Sequence, residues 1–408
     1  MKRVNTISII IILLAVMTGC GGGSKQSTDD IITVDVMKSY PKKELILQDV
    51  FDVEYIPLDD TSDEFLTMGL IRFIGKEMII TRNTGNTGDI YLFNRNGQGL
   101  RTINRRGQGP GEYVSFSQVT LDEDNNEIFV LNGMQNNISV YDLFGNFQRS
   151  LAWEGWINIV VAGNFDRDHL IINVYNDLIV GIASGGSGEV EERFFIMSKK
   201  DGTMTAIQVP FQHRILRSFY GRSGEVIASG PQNQVLIPNR DSWILVEPSS
   251  DTIYRLQPDF SMIPFIARIP SVQSMNPEVF LFPGIITDRY VFMQTVKKEI
   301  SSTTRVSENV STHTFPRRDM MYDLRENAVF EYTVYNDDYS TKKQVRLAFE
   351  NHNNIPFLNN EIAYFQVLQA YELVEAYEKG ELKGKLKDVA AELDAESNPV
   401  IVLMKHKK

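Results

Sequence analysis

A segment of the chain repeats at an offset of 48 residues, and this constrains the fold more than any other feature. Residues 90–103 read IYLFNRNGQGLRTI and residues 138–151 read ISVYDLFGNFQRSL. Both follow the pattern Ile, any residue, Leu/Val, Phe/Tyr, Asn/Asp, two residues, Gly, and Arg101 then falls on Arg149. Upstream, EMIITRN from Glu77 and EIFVLNG from Glu127 align as a second matching segment after a slip of two residues. Alternating apolar residues around Asn96-Gly97 and Phe144-Gly145 predict two short strands and a Gly-centred hairpin in each unit. A period near 48 falls among the blade lengths of four-stranded propeller repeats, about 40 to 50 residues.

Later units keep this grammar. Strands are predicted at Arg193 to Met197, Glu225 to Ser229, Trp243 to Val246, Thr252 to Leu256, Tyr290 to Thr295 and Phe330 to Val334, with turns such as Asp201-Gly202 between them. Six blades would take about 53 residues each, and seven would also fit. After residue 360 the pattern changes. Tyr364, Val367, Leu368, Tyr371 and Val374 fall at helical spacing, as do Leu382, Leu386, Val389, Ala390 and Leu393, so two amphipathic helices are expected before Asn398-Pro399. A propeller has to hide the edges where its ring closes. Ile31 to Val36, Val53 to Leu58 and Val400 to Met404 are the segments expected to do so.

The ends of the chain carry an address. Lys2 and Arg3, an apolar run from Ile7 to Val16 and Met17-Thr18-Gly19-Cys20 have the order of a secretory leader, too short to span a bilayer as a stable helix. The stretch resembles the lipobox of bacterial lipoproteins, which makes Cys20, the only cysteine in 408 residues, the expected lipidation site and the membrane partner. Residues 21–30 (GGGSKQSTDD) read as a flexible tether. The expected organisation is therefore a leader at 1–19, a lipidated tether at 20–30, a propeller at 31–360, and helices with a closing strand at 361–408. The charge, 41 basic against 52 acidic side chains for a net −11, argues against a nucleic-acid partner. The longest basic run is Lys405 to Lys408.

Residues 107–113 read GQGPGEY, directly after the strand ending at Ile103. With the lipobox, VEYIPL at Val53 to Leu58 and NPVIVLMK ending at Lys405, this resembles the six-bladed β-propeller lipoproteins of Bacteroidetes, distant relatives of NHL-repeat propellers. The resemblance covers nearly the whole chain after the leader. It implies an all-β, six-bladed β-propeller with a short C-terminal helical segment, an envelope location and, for many members, no established activity. Residues from about Ser261 to Arg318 depart from the regular pattern. In physical terms Gly107, Gly109 and Gly111 permit positive φ and Pro110 sets a bend, so the loop turns sharply and aims Glu112 and Tyr113 at a neighbouring blade. A phosphate cradle would need a helix behind the glycines, and a strand follows instead.

Candidate chemistry is sparse. Asp122, Asp124 and Asn126 have the spacing of calcium-loop ligands, but Glu127 and Gly133 stand where Gly and Glu are required, which favours a polar hairpin. His169, His213, His313, His352 and His406 show no paired metal spacing, and no GxSxG elbow occurs. Ser198 to Gly202 has a faint likeness to the Asp-box turn of sialidase-type propellers. Trp153, Trp156 and Trp243 are candidates for sugar stacking but more often belong to blade packing. Asp251-Thr252-Ile253 resembles an O-glycosylation acceptor of envelope proteins. No cofactor, metal or catalytic residue is expected. The expected function is a lipid-anchored extracytoplasmic binding or interaction module for a glycan or an envelope partner protein. The alternative is a lyase or hydrolase whose channel-mouth site draws on several blades.

Overall fold

The repeated segment becomes the second to fourth strands of two successive blades. In blade one these are Met78–Arg82, Asp89–Asn94 and Gly99–Asn104; in blade two they are Glu127–Asn132, Asn137–Asp142 and Phe147–Ala152. Alternation sends neighbouring side chains to opposite faces. Both faces are covered, because each blade is packed between two others. Ile90 and Leu92 enter one apolar cluster while Tyr91 and Phe93 enter another. Ile128 and Val130 likewise part from Phe129 and Leu131. Each such side chain contributes about 1.5 to 3 kcal/mol by leaving water.

The structure is a computed structural model describing residues 31–407 except 84–86, 133–134, 154–157, 175–191, 221–225, 308–309, 350–356 and 359. The leader, Cys20, the tether, Trp156 and His352 lie outside the described residues. The described residues form six blades. The first two open with Leu70–Ile74 and Gln118–Asp122. Blade three comprises Ile159–Asn164, His169–Val174, Phe194–Ser198 and Met204–Ile207, and blade four Leu236–Asn239, Ser242–Leu245, Thr252–Leu256 and Met262–Ile269. Blade five holds Val279–Ile286, Tyr290–Lys297, Arg317–Asp323 and Ala328–Asn336. Its irregular sequence has a simple source: the hairpin Ser302–Ser307/Val310–Thr314 is inserted between its second and third strands.

Blade six closes the ring with strands from both chain ends. Val400–His406 lies between Ile362–Leu368 and Phe51–Pro57, antiparallel to each, from Phe51 opposite His406 to Pro57 opposite Val400. Two expectations are corrected here. Tyr364, Val367 and Leu368 belong to the strand Ile362–Leu368, and the first helix begins only at Ala370. A short apolar run fits either period, and pairing with Val400–His406 decided it. The helices are Ala370–Glu378 and Gly384–Ala390; Leu373, Leu382, Leu386 and Ala390 bury against Leu47, Phe51, Val402 and Met404. Ile31 to Val36 does not close the ring either. Ile32–Asp35 runs parallel to Met262–Ile269 and covers the outer edge of blade four, because Phe51–Pro57 already occupies the closing edge. Lys42–Ile46 covers blade five in the same manner.

The hairpin between the third and fourth strands docks on the preceding blade, which explains the Gly of the repeat. Gly97, Gly145 and Gly202 have φ of +84°, +79° and +79°. A Cβ on Gly97 would lie 2.1 Å from the Pro57 carbonyl oxygen, and one on Gly202 would lie 2.9 Å from that of Ala152. The repeated arginines reach forward to the same hairpins. Arg101 lies 4.1 Å over the Phe144 ring, and Arg149 Nε donates to the Lys199 carbonyl at 2.9 Å.

Candidate functional site

An open groove of about 790 Å³ lies where blade five meets the closing blade. Its walls are the edge strand Lys42–Ile46, the turn at Thr287 to Tyr290, Arg325 and the end of the closing strand at His406 and Lys407. The basic side chains divide into two kinds. Lys43 and Arg289 are committed to Asp323, at 2.9 and 3.0 Å. Burial pushes the Asp323 carboxyl up, but Arg289, Lys43 and the N–H groups of Arg325 and Glu326 outweigh it and hold it at about 2. The Arg325 and Lys407 side chains are exposed and make no ion pair among the described residues.

His406 lines the same groove. Burial lowers its imidazole below the ordinary value, Arg240 pushes the same way, and Asp288 opposes them. The ring is therefore held toward the neutral form, and its Nδ1 is buried without a hydrogen-bond partner among the described residues. Asp288 is itself paired with Arg240 at 2.5 Å. Arg325 and Lys407 share the groove with the His406 imidazole and the carboxylates of Glu44, Asp49 and Asp288, a mixed polar lining that suits a ligand rich in hydroxyl groups. No local motif announced this groove, because its residues come from four distant segments. The one visible signal was the basic run at Lys405 to Lys408, of which His406 and Lys407 line the site.

A second cavity, of about 430 Å³, lies beside blade three and is lined by Val209, Pro210 and Phe211 together with Arg193 and Glu247. Arg193 and Glu247 are buried and paired at 3.0 Å. Burial raises the Glu247 carboxyl, but Arg193, the Ser249 N–H and Arg214 bring it below its usual range. It stays ionised and ties blade three to blade four.

The residues singled out in the sequence are dispersed. The loop at 107–113 lies between blades one and two. Gly109 N–H donates to Glu112 Oε2 at 2.7 Å, and Tyr113 is fully buried with its hydroxyl donating to the Gly88 carbonyl at 2.7 Å. Burial pushes Tyr113 up to about 12. The Tyr141 hydroxyl of blade two donates to Gly111 O at 3.0 Å. Asp122 faces a lysine: Lys199 Nζ lies 2.5 Å from its Oδ2. The turn after Asp122 carries Asn126 at φ +56°. Among the described residues no group of three His, Cys, Asp or Glu side chains is placed to hold a metal ion. Trp153 and Trp243 are buried in the apolar clusters, so neither offers a face to a sugar. Thr252 is half-buried where its strand begins, and Asp251 accepts the Val272 N–H at 2.7 Å. His169 is held by Asp166 at 3.0 Å, His313 contacts Thr303 and His213 is exposed. No helix among the described residues is long and apolar enough to cross a membrane.

The family model described as a domain of unknown function, DUF4934, matches residues 31–405. No curated protein matches the sequence. Among solved structures, a Bacteroides fragilis protein named as a proposed exported protein superposes with a TM-score of 0.56 at 15% identity, over 93% of this chain and 100% of that one. A member of the DUF4221 family from Bacteroides vulgatus gives 0.42 at 10% identity, over 87% and 96% of the two chains. Virginiamycin B lyase from Staphylococcus aureus gives 0.37 at 10%, over 87% and 99%. At these identities the likeness concerns the fold alone.

Proposed function

We propose that this chain, which belongs to the DUF4934 family, is an extracytoplasmic binding and interaction module of the cell envelope. Lipid on Cys20 holds it to the membrane, and its ligand is a glycan or a partner protein of the envelope. The observation that carries the binding reading is the groove between blades five and six. It is open, of ligand size, and presents Arg325 and Lys407 uncommitted beside His406. The leader and the lone cysteine support the address.

The test uses the full chain in detergent with a panel of neutral and acidic oligosaccharides and envelope polysaccharides, reading thermal shift and product formation in the same wells. The expected result is a stabilising ligand that stays intact, with the shift at least halved in Arg325→Glu/Lys407→Glu. Product formation would replace the binding module by an enzyme. A shift that the double variant leaves unchanged would remove the groove as its site.

A further inference from the structure

We infer a second ligand site, between blades three and four on the face of the ring that carries the turns joining first to second and third to fourth strands, where Phe260 forms a stacking platform for a sugar ring. Phe260 holds the position that Gly97 and Gly145 hold in the equivalent hairpins. Its N–H donates to the Gln257 carbonyl as theirs donate to Asn94 and Asp142. It takes the same left-handed backbone, φ +65°. A bulky side chain is strained there, and glycine is not. The chain therefore keeps an unfavourable residue at a place where it uses the favourable one elsewhere.

Burial does not explain the choice, since Phe260 remains 47% exposed. The ring is nevertheless held in place. It stacks on Phe165 of blade three with centroids 5.2 Å apart and planes at 23°, and His169 meets it edge-on at 5.6 Å. His169 is fixed in turn, its Nδ1 3.0 Å from both Asp166 carboxylate oxygens. Both side chains are about one third exposed. A held, exposed aromatic ring beside a carboxylate and an imidazole that are each about one third exposed is the chemistry that recognises a pyranose. The C–H face of the sugar lies on the ring, and its hydroxyls bond to the polar flank. This site is separate from the groove and stands whether or not the groove binds.

The test is affinity electrophoresis of the full chain in native gels cast with dextran, laminarin or chondroitin sulfate, with a melting curve for each variant. The expected result is retardation of the unmodified chain by at least one of the three. Phe260→Gly should weaken it at least fivefold with a melting temperature unchanged or higher, because the strain is relieved. Phe260→Tyr should keep it. Retardation equal in Phe260→Gly and the unmodified chain, or none in any gel, would overturn the inference. So would a Phe260→Gly variant that melts lower while Phe260→Tyr fails to bind, since Phe260 would then serve only to join the blades.

Discussion

The ammonium of Lys199 offers the sharpest test of how the blades are joined. It sits at the hairpin of blade three and is 5% exposed; Asp122 of blade two, opposite it, is 1% exposed. Its three protons have three good acceptors: Asp122 Oδ2 at 2.5 Å, Asn164 Oδ1 at 2.5 Å and the Asp166 carbonyl at 2.6 Å. The Asp122 carboxylate also accepts from the Asn125 N–H at 3.1 Å and its side-chain amide at 2.8 Å. Replacing Lys199 by Met leaves a buried carboxylate with only the Asn125 donors. Replacing Asp122 by Asn leaves a buried ammonium with neutral acceptors. Removing one partner of a buried pair costs about 3 to 5 kcal/mol, whereas removing both is far cheaper. Each single variant should therefore lose about 3 kcal/mol or more, and the double variant clearly less than either single.

Urea unfolding followed by tryptophan fluorescence suits the question, because Trp153 lies in the apolar cluster where blades two and three meet. The double-mutant cycle isolates the pair. A coupling below about 0.5 kcal/mol, or singles that cost less than about 1 kcal/mol, would refute the view that this contact joins the blades.

Two further outcomes follow from the geometry. Gly97→Ala should cost at least about 2 kcal/mol, since the new methyl meets a backbone carbonyl at positive φ; Gly145→Ala, whose nearest atom is Ile103 Cγ2 at 2.8 Å, should cost less, and equal urea midpoints would contradict this. Asp323 is held below its ordinary 3.8, so it stabilises the fold above pH 4 and that stability is lost as pH falls towards 2. The loss is about 2 kcal/mol, and Asp323→Asn should flatten stability over that window in pH-resolved melts.

The parts of the fold legible in the sequence were those where one local rule repeats. Gly97 and Gly145 were visible because the hairpin takes positive φ and docks closely, Gly97 against the Pro57 carbonyl and Gly145 against the Ile103 side chain, which favours glycine. At the same place blade four carries Phe260 at φ +65°, so the geometry persists while the residue signal disappears, and the corresponding hairpin of blade five is a longer turn with Asn327 at φ +52°. Two of the three closing strands were legible too: Val400 to Met404 is a continuous apolar run buried on both faces, and Val53 to Leu58 pairs with it, whereas Ile362–Leu368 reads as helical. Ile32–Asp35 was assigned to the wrong edge because its alternating burial suits any sheet edge, and only the register with Met262–Ile269 distinguishes blade four.

The groove and the platform escaped for a related reason. Their residues are gathered by ring closure and blade docking, so Lys43, Arg289, Arg325 and Lys407, or Phe165 and Phe260, share no spacing along the chain. A propeller builds its scaffold from what repeats and leaves other positions free to vary. Residues that break the repeat at conserved geometry, without gaining burial, are therefore where a ligand site should be sought. Phe260 meets that criterion, whereas Asn327 does not, because asparagine tolerates the left-handed conformation and needs no further reason to be there.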